Sequence, residues 1–149
     1  EFHRLFKDEG VTRLLTIEAS GIAVACMTAS YFNLPVVYAK KYPHFVLDND
    51  VYQSEVYSFT KKTSYNIRVS KKYLNKNDKV LIIDDFLANG KAAAGLVDVV
   101  RQAGAKVAGV GIVIEKGFQP GRATIEEMGI RVESLAIIEA MENGKINFK

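Results

Sequence analysis

The chain has a single cysteine in 149 residues, no apolar run long enough to cross a bilayer, and no strong charge of either sign. Each shortage excludes something. With Cys26 alone no disulfide can form within the chain, which suits a reducing, cytoplasmic setting and a small, buried role for that thiol in its apolar helical stretch. A membrane span needs about 18–20 consecutive apolar residues, and nothing at the start has leader character, so a soluble protein without a membrane partner is expected. A net charge of +3, spread over scattered basic residues, is too weak to argue for a nucleic-acid surface but is compatible with an anionic small ligand. Internal repeats, low-complexity tracts and clusters with the spacing of an all-protein metal site are missing as well. What remains, 48% of it hydrophobic, is enough for one compact domain over residues 1–149.

Periodicity divides that domain. Phe2, Leu5 and Phe6 share one face of a short helix closed by Gly10. Val11–Ile17 reads as a strand, Ser20 as the N-cap of a helix over Gly21–Phe32, and Val36–Lys40 as the next strand. Residues 41–70 break the alternation: Pro43, Asp48-Asn49-Asp50 and interleaved aromatic and polar residues predict a long, flexible excursion ending in a hairpin with arms Tyr52–Thr60 and Asn66–Ser70. Strand Lys79–Asp85, helix Lys91–Gln102 and strand Lys106–Glu115 restore it. A short helix over Pro120–Met128 and strands near Arg131–Leu135 and Lys145–Phe148 follow. This order specifies an α/β fold, a mostly parallel twisted sheet with helices on both faces.

The stretch Val80–Ala93 carries the most chemistry. A buried parallel strand runs into two adjacent carboxylates, Asp84 and Asp85. A turn over Phe86–Asn89 follows, and Gly90 lets the backbone approach a ligand before a helix whose first amides point back at it. Acids beside an anion cradle suit a sugar phosphate, whose vicinal hydroxyls donate to carboxylates while main-chain N–H groups hold the phosphate. The plainer reading is a capping turn after a core strand. Two better-known phosphate signatures fail: no glycine lies five positions before Gly90 and Ala92 stands where a P-loop needs Ser or Thr, while Gly109-Val-Gly111 continues into a strand rather than a helix.

This window resembles the 5-phosphoribosyl 1-diphosphate (PRPP) motif of the type I phosphoribosyltransferases. Thr16-Ile-Glu-Ala-Ser-Gly-Ile22, Tyr57-Ser-Phe-Thr-Lys61 and Ile114-Glu-Lys-Gly-Phe-Gln-Pro-Gly-Arg122 follow the order found in the purine subgroup, most closely in its bacterial xanthine-specific members, across essentially the whole chain. The resemblance implies the family's fold, here with a small hood short of its N-terminal segment. It implies transfer of a phosphoribosyl group from PRPP to xanthine in purine salvage, with Mg²⁺ held mainly through the substrate and a homodimeric state. Guanine or hypoxanthine preference, and a regulatory domain that only senses PRPP, are the alternatives.

Residue by residue, the resemblance assigns Asp84 and Asp85 to the ribose and to catalysis, and Ala88, Asn89, Gly90, Lys91 and Ala92 to the 5′-phosphate. It assigns Glu18, Ala19, Ser20, Gly21, Lys40, Ser58 and Lys61 to the diphosphate, and Lys116 and Phe118 to the base. The same residues also read as an ordinary helix start at Ser20, a solvated basic pair at Lys40-Lys41, an amphipathic hairpin at 57–61 and a core aromatic at Phe118. Exposed aromatics such as Tyr42 and Phe45 suit a dimer interface. At Ala88 the chain lacks the carboxylate that hypoxanthine-guanine enzymes place near the ring proton. Xanthine is more acidic and needs less help from a base.

Overall fold

Aliphatic and β-branched runs become the middle of a sheet because both of its faces are covered. The structure is a computed structural model that describes residues 1–44, 47–58, 62–142 and 144–149. In order the elements are α1 (Phe2–Phe6), β1 (Arg13–Ile17), α2 (Ser20–Phe32), β2 (Val36–Tyr42), β3 (Val51–Ser58), β4 (Thr63–Ser70), β5 (Lys79–Leu87), α3 (Lys91–Gln102), β6 (Lys106–Lys116), α4 (Gly121–Glu126), β7 (Val132–Glu142) and β8 (Lys145–Phe148). The strands form one 8-stranded sheet in the order β3-β4-β2-β1-β5-β6-β7-β8. The run β2-β1-β5-β6-β7 is parallel; β4 and β8 join it antiparallel, and β3 pairs antiparallel with β4.

Alternation along the central strands feeds two cores. Leu14, Leu81 and Ile83 pack with Phe2 and Phe6 of α1 and Ala25 and Ala29 of α2. Leu15, Ile17, Val80 and Ile82 face the opposite way, onto Leu96, Val97, Val99 and Val100 of α3 and Ile125 of α4. The helix α3 begins and ends where its sequence signals put it, at Gly90 in the left-handed region and shortly before Gly104.

Several expectations are corrected. The strand β5 does not stop at Asp85: Phe86 and Leu87 continue it, paired with Ile114 and Glu115 of β6, so the turn is confined to Ala88–Gly90. The hairpin expected within 41–70 is present as β3 and β4, and what the expectation lacked is that β2 runs on to Tyr42 and pairs with β4 through Lys40, Lys41 and Tyr42. Ser20 is the first residue of α2 rather than its cap, and no side chain caps that helix. Cys26 is exposed; the face that α2 buries is Gly21, Ala25, Thr28 and Ala29, and Cys26 lies just off it. The strand expected near 131–135 runs to Glu142, since it pairs along β6 and then with β8. Phe45 and Lys61 lie outside the described residues.

Candidate functional site

The loops after β2, β1, β5 and β6 emerge side by side on one sheet edge, since these parallel strands are neighbours. Chain order runs outward from β1 to β2 on one side and from β5 to β6 on the other. The crevice of this fold therefore opens between β1 and β5, at the switch point. Asp84 and the start of α2 meet there. A Cβ placed on Gly21 would lie 2.8 Å from Asp84 Oδ1 and 2.2 Å from Thr16 Oγ1, so only glycine lets the helix mouth sit against the acid. The peptide between Glu18 and Ala19 is cis.

Asp84 is 6% exposed. Its Oδ1 accepts the main-chain N–H of Asp85 at 3.0 Å, and Asp85 Oδ1 accepts that of Phe86 at 3.0 Å. Burial, followed by the side-chain hydrogen bond and charge of Asp85, pushes the Asp84 carboxyl up to about 7, against the opposing pull of the Asp85 main-chain N–H and of Lys41. Burial and the proximity of Asp84 also raise the Tyr65 phenol.

The two lysines that end β2 part company across the pleat. Lys41 turns to the crevice: its charge acts on Asp84 and its Nζ lies 5.6 Å from the centre of the Tyr65 ring, while its main-chain N–H donates to Glu18 Oε1 at 2.6 Å. Lys40, the expected diphosphate ligand, is on the opposite face. There it lines a cavity of about 580 Å³ with Arg13, Tyr38, Tyr42, Arg68 and Tyr73. Geometry therefore puts Lys41, not Lys40, beside the acids.

The loop expected to take the 5′-phosphate leads straight into α3. Gly90 has φ +77° and precedes α3, whose first amides have no partner within the helix; Ala94 N–H is the first to turn back, donating to Gly90 O at 2.8 Å. Ala88, Asn89, Gly90, Lys91 and Ala92 line a cleft of about 200 Å³. Its opposite wall is the hairpin, with Val56, Tyr57 and Ser58 of β3 and Tyr65 of β4. The expected Ser58 thus faces the phosphate loop, while Lys61 falls outside the described residues. Lys116 ends β6, half-buried, and Phe118 is 50% exposed, so it is no core residue.

Two site neighbours were not legible as such. Thr16 is 0% exposed, and its hydroxyl has no hydrogen-bond partner among the described residues. The only sequence signal was a hydroxyl amid the apolar run of β1. Tyr65 reaches Asp84 only because β4 pairs with β2, and no local pattern reports that. Among the described residues no group of three or more His, Cys, Asp or Glu could hold a metal ion, and no helix is long and apolar enough to cross a membrane.

Comparison with known proteins bears on the family and the fold. The family described as Phosphoribosyl transferase domain matches residues 3–133. The xanthine phosphoribosyltransferase of Clostridium novyi (strain NT) is 64% identical over 149 residues, covering 100% of this chain and 78% of that protein. That of Ruminiclostridium cellulolyticum is 59% identical over 148 residues, covering 99% of this chain and 78% of its own. Among solved structures, adenine phosphoribosyltransferase from Giardia lamblia superposes with TM-score 0.82 at 24% identity, over 94% of this chain and 76% of that one. The enzyme from Thermoanaerobacter pseudethanolicus does so with TM-score 0.79 at 20% identity, over 91% and 75%. At such identities the structures speak for the fold alone.

Proposed function

We infer, from the premise that this chain belongs to the phosphoribosyltransferase family and has its type I fold, that it joins xanthine to the anomeric carbon of PRPP, giving xanthosine 5′-monophosphate and diphosphate. The observation that carries the reading is the crevice itself, where the buried Asp84 and the half-buried Asp85 stand at the switch point, with the start of α2 against Asp84 and the turn into α3 following directly.

The ribose hydroxyls donate to Asp84 and Asp85, and the 5′-phosphate rests on the main chain of Ala88–Ala92. The diphosphate lies across Glu18–Gly21, with Lys41 as the nearest point charge among the described residues and Ser58 on the hairpin wall, while Lys61, assigned by the resemblance, lies outside the described residues; Lys40 would have to come round the sheet edge. Departure of diphosphate runs ahead of attack, so positive charge develops on the sugar between the carboxylates, while amides and lysines take up the leaving group's charge. Mg²⁺ brought in with the substrate would supply positive charge beside the leaving diphosphate, with Asp84 and Asp85 the carboxylates at hand. The acid pair fits a metal that arrives with its substrate: two adjacent carboxylates, each already accepting a main-chain N–H, are too few for a cage of their own. A cytoplasmic homodimer belongs to the same reading, supported by the unpaired thiol of Cys26 and the exposed Tyr38, Tyr42 and Tyr73.

Lys116 donates to the 6-oxo group of the base and Phe118 offers a ring face. A 6-amino purine presents a donor to that ammonium and is rejected. The 64% identity to a relative named for xanthine favours that base over guanine and hypoxanthine. In a PRPP-dependent assay, xanthine is expected to give the largest kcat/KM and adenine the smallest. With xanthine the rate should follow ionisation of the base, because Ala88 provides no proton acceptor. A larger kcat/KM for guanine would overturn the choice of base, and PRPP binding without turnover of any purine would support the sensing reading.

A further inference from the structure

Behind the loop that carries Lys116 and Phe118 lies a polar cluster for which the reaction as described has no use. Glu115, 3% exposed, is the residue just before Lys116. Arg122, in the first turn of α4, reaches back across the loop and grips it with a two-pronged fork, Nε to Oε1 at 2.9 Å and Nη2 to Oε2 at 2.6 Å. Ser134 of β7 donates to the same Oε2 at 2.5 Å, and Arg122 Nη1 donates to Val132 O at 2.9 Å. Burial alone would raise the Glu115 carboxyl, yet the hydrogen bonds from Arg122 and Ser134 hold it below its ordinary value.

A carboxylate in this position is costly unless every prong is satisfied. What the arrangement gains is geometry. The fork joins the residue before the loop to a residue after it, so 116–120 is a closed ring. Within the ring Gln119 N–H donates to Lys116 O at 2.9 Å, and Gly117 N–H donates outward to Ile138 O at 2.8 Å. The same loop is seated on the phosphate loop: Gly121 N–H donates to Ala88 O at 3.0 Å, and a Cβ on Gly121 would lie 2.3 Å from that oxygen. The base-facing loop thus has two anchors, one on the phosphate loop and one in the fork.

We propose that Arg122, acting through Glu115 and Ser134, is a positioning residue for base recognition: it closes the loop over 116–120 and fixes where the Lys116 ammonium and the Phe118 ring stand, without touching substrate. This rests on the reading of Lys116 and Phe118 as base-facing. The fork sets the loop's position on the base side, whereas the Gly121–Ala88 bond keeps the phosphate loop seated, so loss of the fork acts on one substrate only.

The test is steady-state kinetics on the full chain with xanthine and PRPP varied separately. Arg122→Met combined with Glu115→Gln leaves no lone buried charge, and is expected to raise KM for xanthine about tenfold or more while KM for PRPP moves less than about twofold. Arg122→Lys keeps the charge but not the fork and should show the same split in smaller degree, which keeps the proposal testable if the double variant does not fold. Lys116→Met should raise KM for xanthine too, and adding it to the Arg122 variant should raise KM by less than the product of the two separate effects, because Arg122 acts in part through that ammonium. Equal shifts in both KM values, or an unchanged KM for xanthine in a variant that melts with the parent, overturns the positioning role. An unchanged KM for xanthine in Lys116→Met overturns the underlying base-site reading instead, so the two failures are told apart.

Discussion

Replacing Asp84 and Asp85 together by asparagine is expected to lower kcat/KM for PRPP about 100-fold or more while leaving the fold intact. The substitutions keep the shape but turn half of each acceptor group into a donor, so the ribose diol loses its partners and the sugar cation loses its counter-charge. Hydrogen bonds to charged groups contribute about 1.5–3 kcal/mol each, which sets that scale. The pH dependence has a definite sign. The folded Asp84 carboxyl stands at about 7 against 3.8 for the ordinary group, so between those values the folded chain holds a proton that the unfolded chain releases. The stability linked to that proton is complete below the lower value and is lost as pH rises through the upper one. Asp84→Asn alone should therefore raise Tm relative to the parent at pH 8 and lose that advantage near pH 4. PRPP needs the ionised acid, so its affinity for the parent should climb as pH rises through 7, with a proton released on binding. Isothermal titration in two buffers of different ionisation enthalpy measures that proton. A pH-independent affinity, or a variant with the parent's turnover, contradicts the assignment.

Gly90→Ala is expected to cost both stability and PRPP affinity, for separate reasons. At φ +77° any side chain pays about 1–2 kcal/mol. Here the new methyl would also stand 2.9 Å from Gly121 O, a main-chain atom that cannot move without lifting the base-facing loop. The phosphate loop must open or twist, and the amides of Lys91 and Ala92 swing off their target. PRPP affinity should fall more than about tenfold, and Tm by roughly 5 °C or more. Gly129→Ala is the control. It has the same φ of +77° but nothing within 4 Å of the added carbon, so it should cost stability without altering PRPP binding. Equal PRPP affinities in the two variants would show that the left-handed residue, rather than the loop's seat on Gly121, governs both effects.

The parts of this molecule legible in its sequence are those fixed by local pattern. Val80–Ile83 reads as a buried strand because each residue is aliphatic, and α3 reads correctly at both ends because Gly90 and Gly104 mark them. The adjacent acids at the end of β5 and the turn into α3 follow from the same stretch. What did not read is what the sheet decides. Phe86 and Leu87 look like turn residues until β6 offers them partners. The choice between Lys40 and Lys41 rests on the parity of the pleat, which one residue of register reverses. Tyr65 reaches Asp84 through the pairing of β4 with β2, and Arg122 reaches Glu115 by folding back over seven residues of chain. Cys26 reads as buried because its neighbours are apolar, yet the stripe that α2 buries passes it by.

The most direct test is a crystal structure of the full chain saturated with xanthosine 5′-monophosphate. The phosphate should rest on the main-chain amides of Ala88–Ala92, both ribose hydroxyls should lie within hydrogen-bond distance of Asp84 and Asp85, and the 6-oxo group should meet Lys116. A phosphate found instead in the tyrosine-lined cavity on the Lys40 face of the sheet, or ribose hydroxyls turned away from the acid pair, would contradict the account.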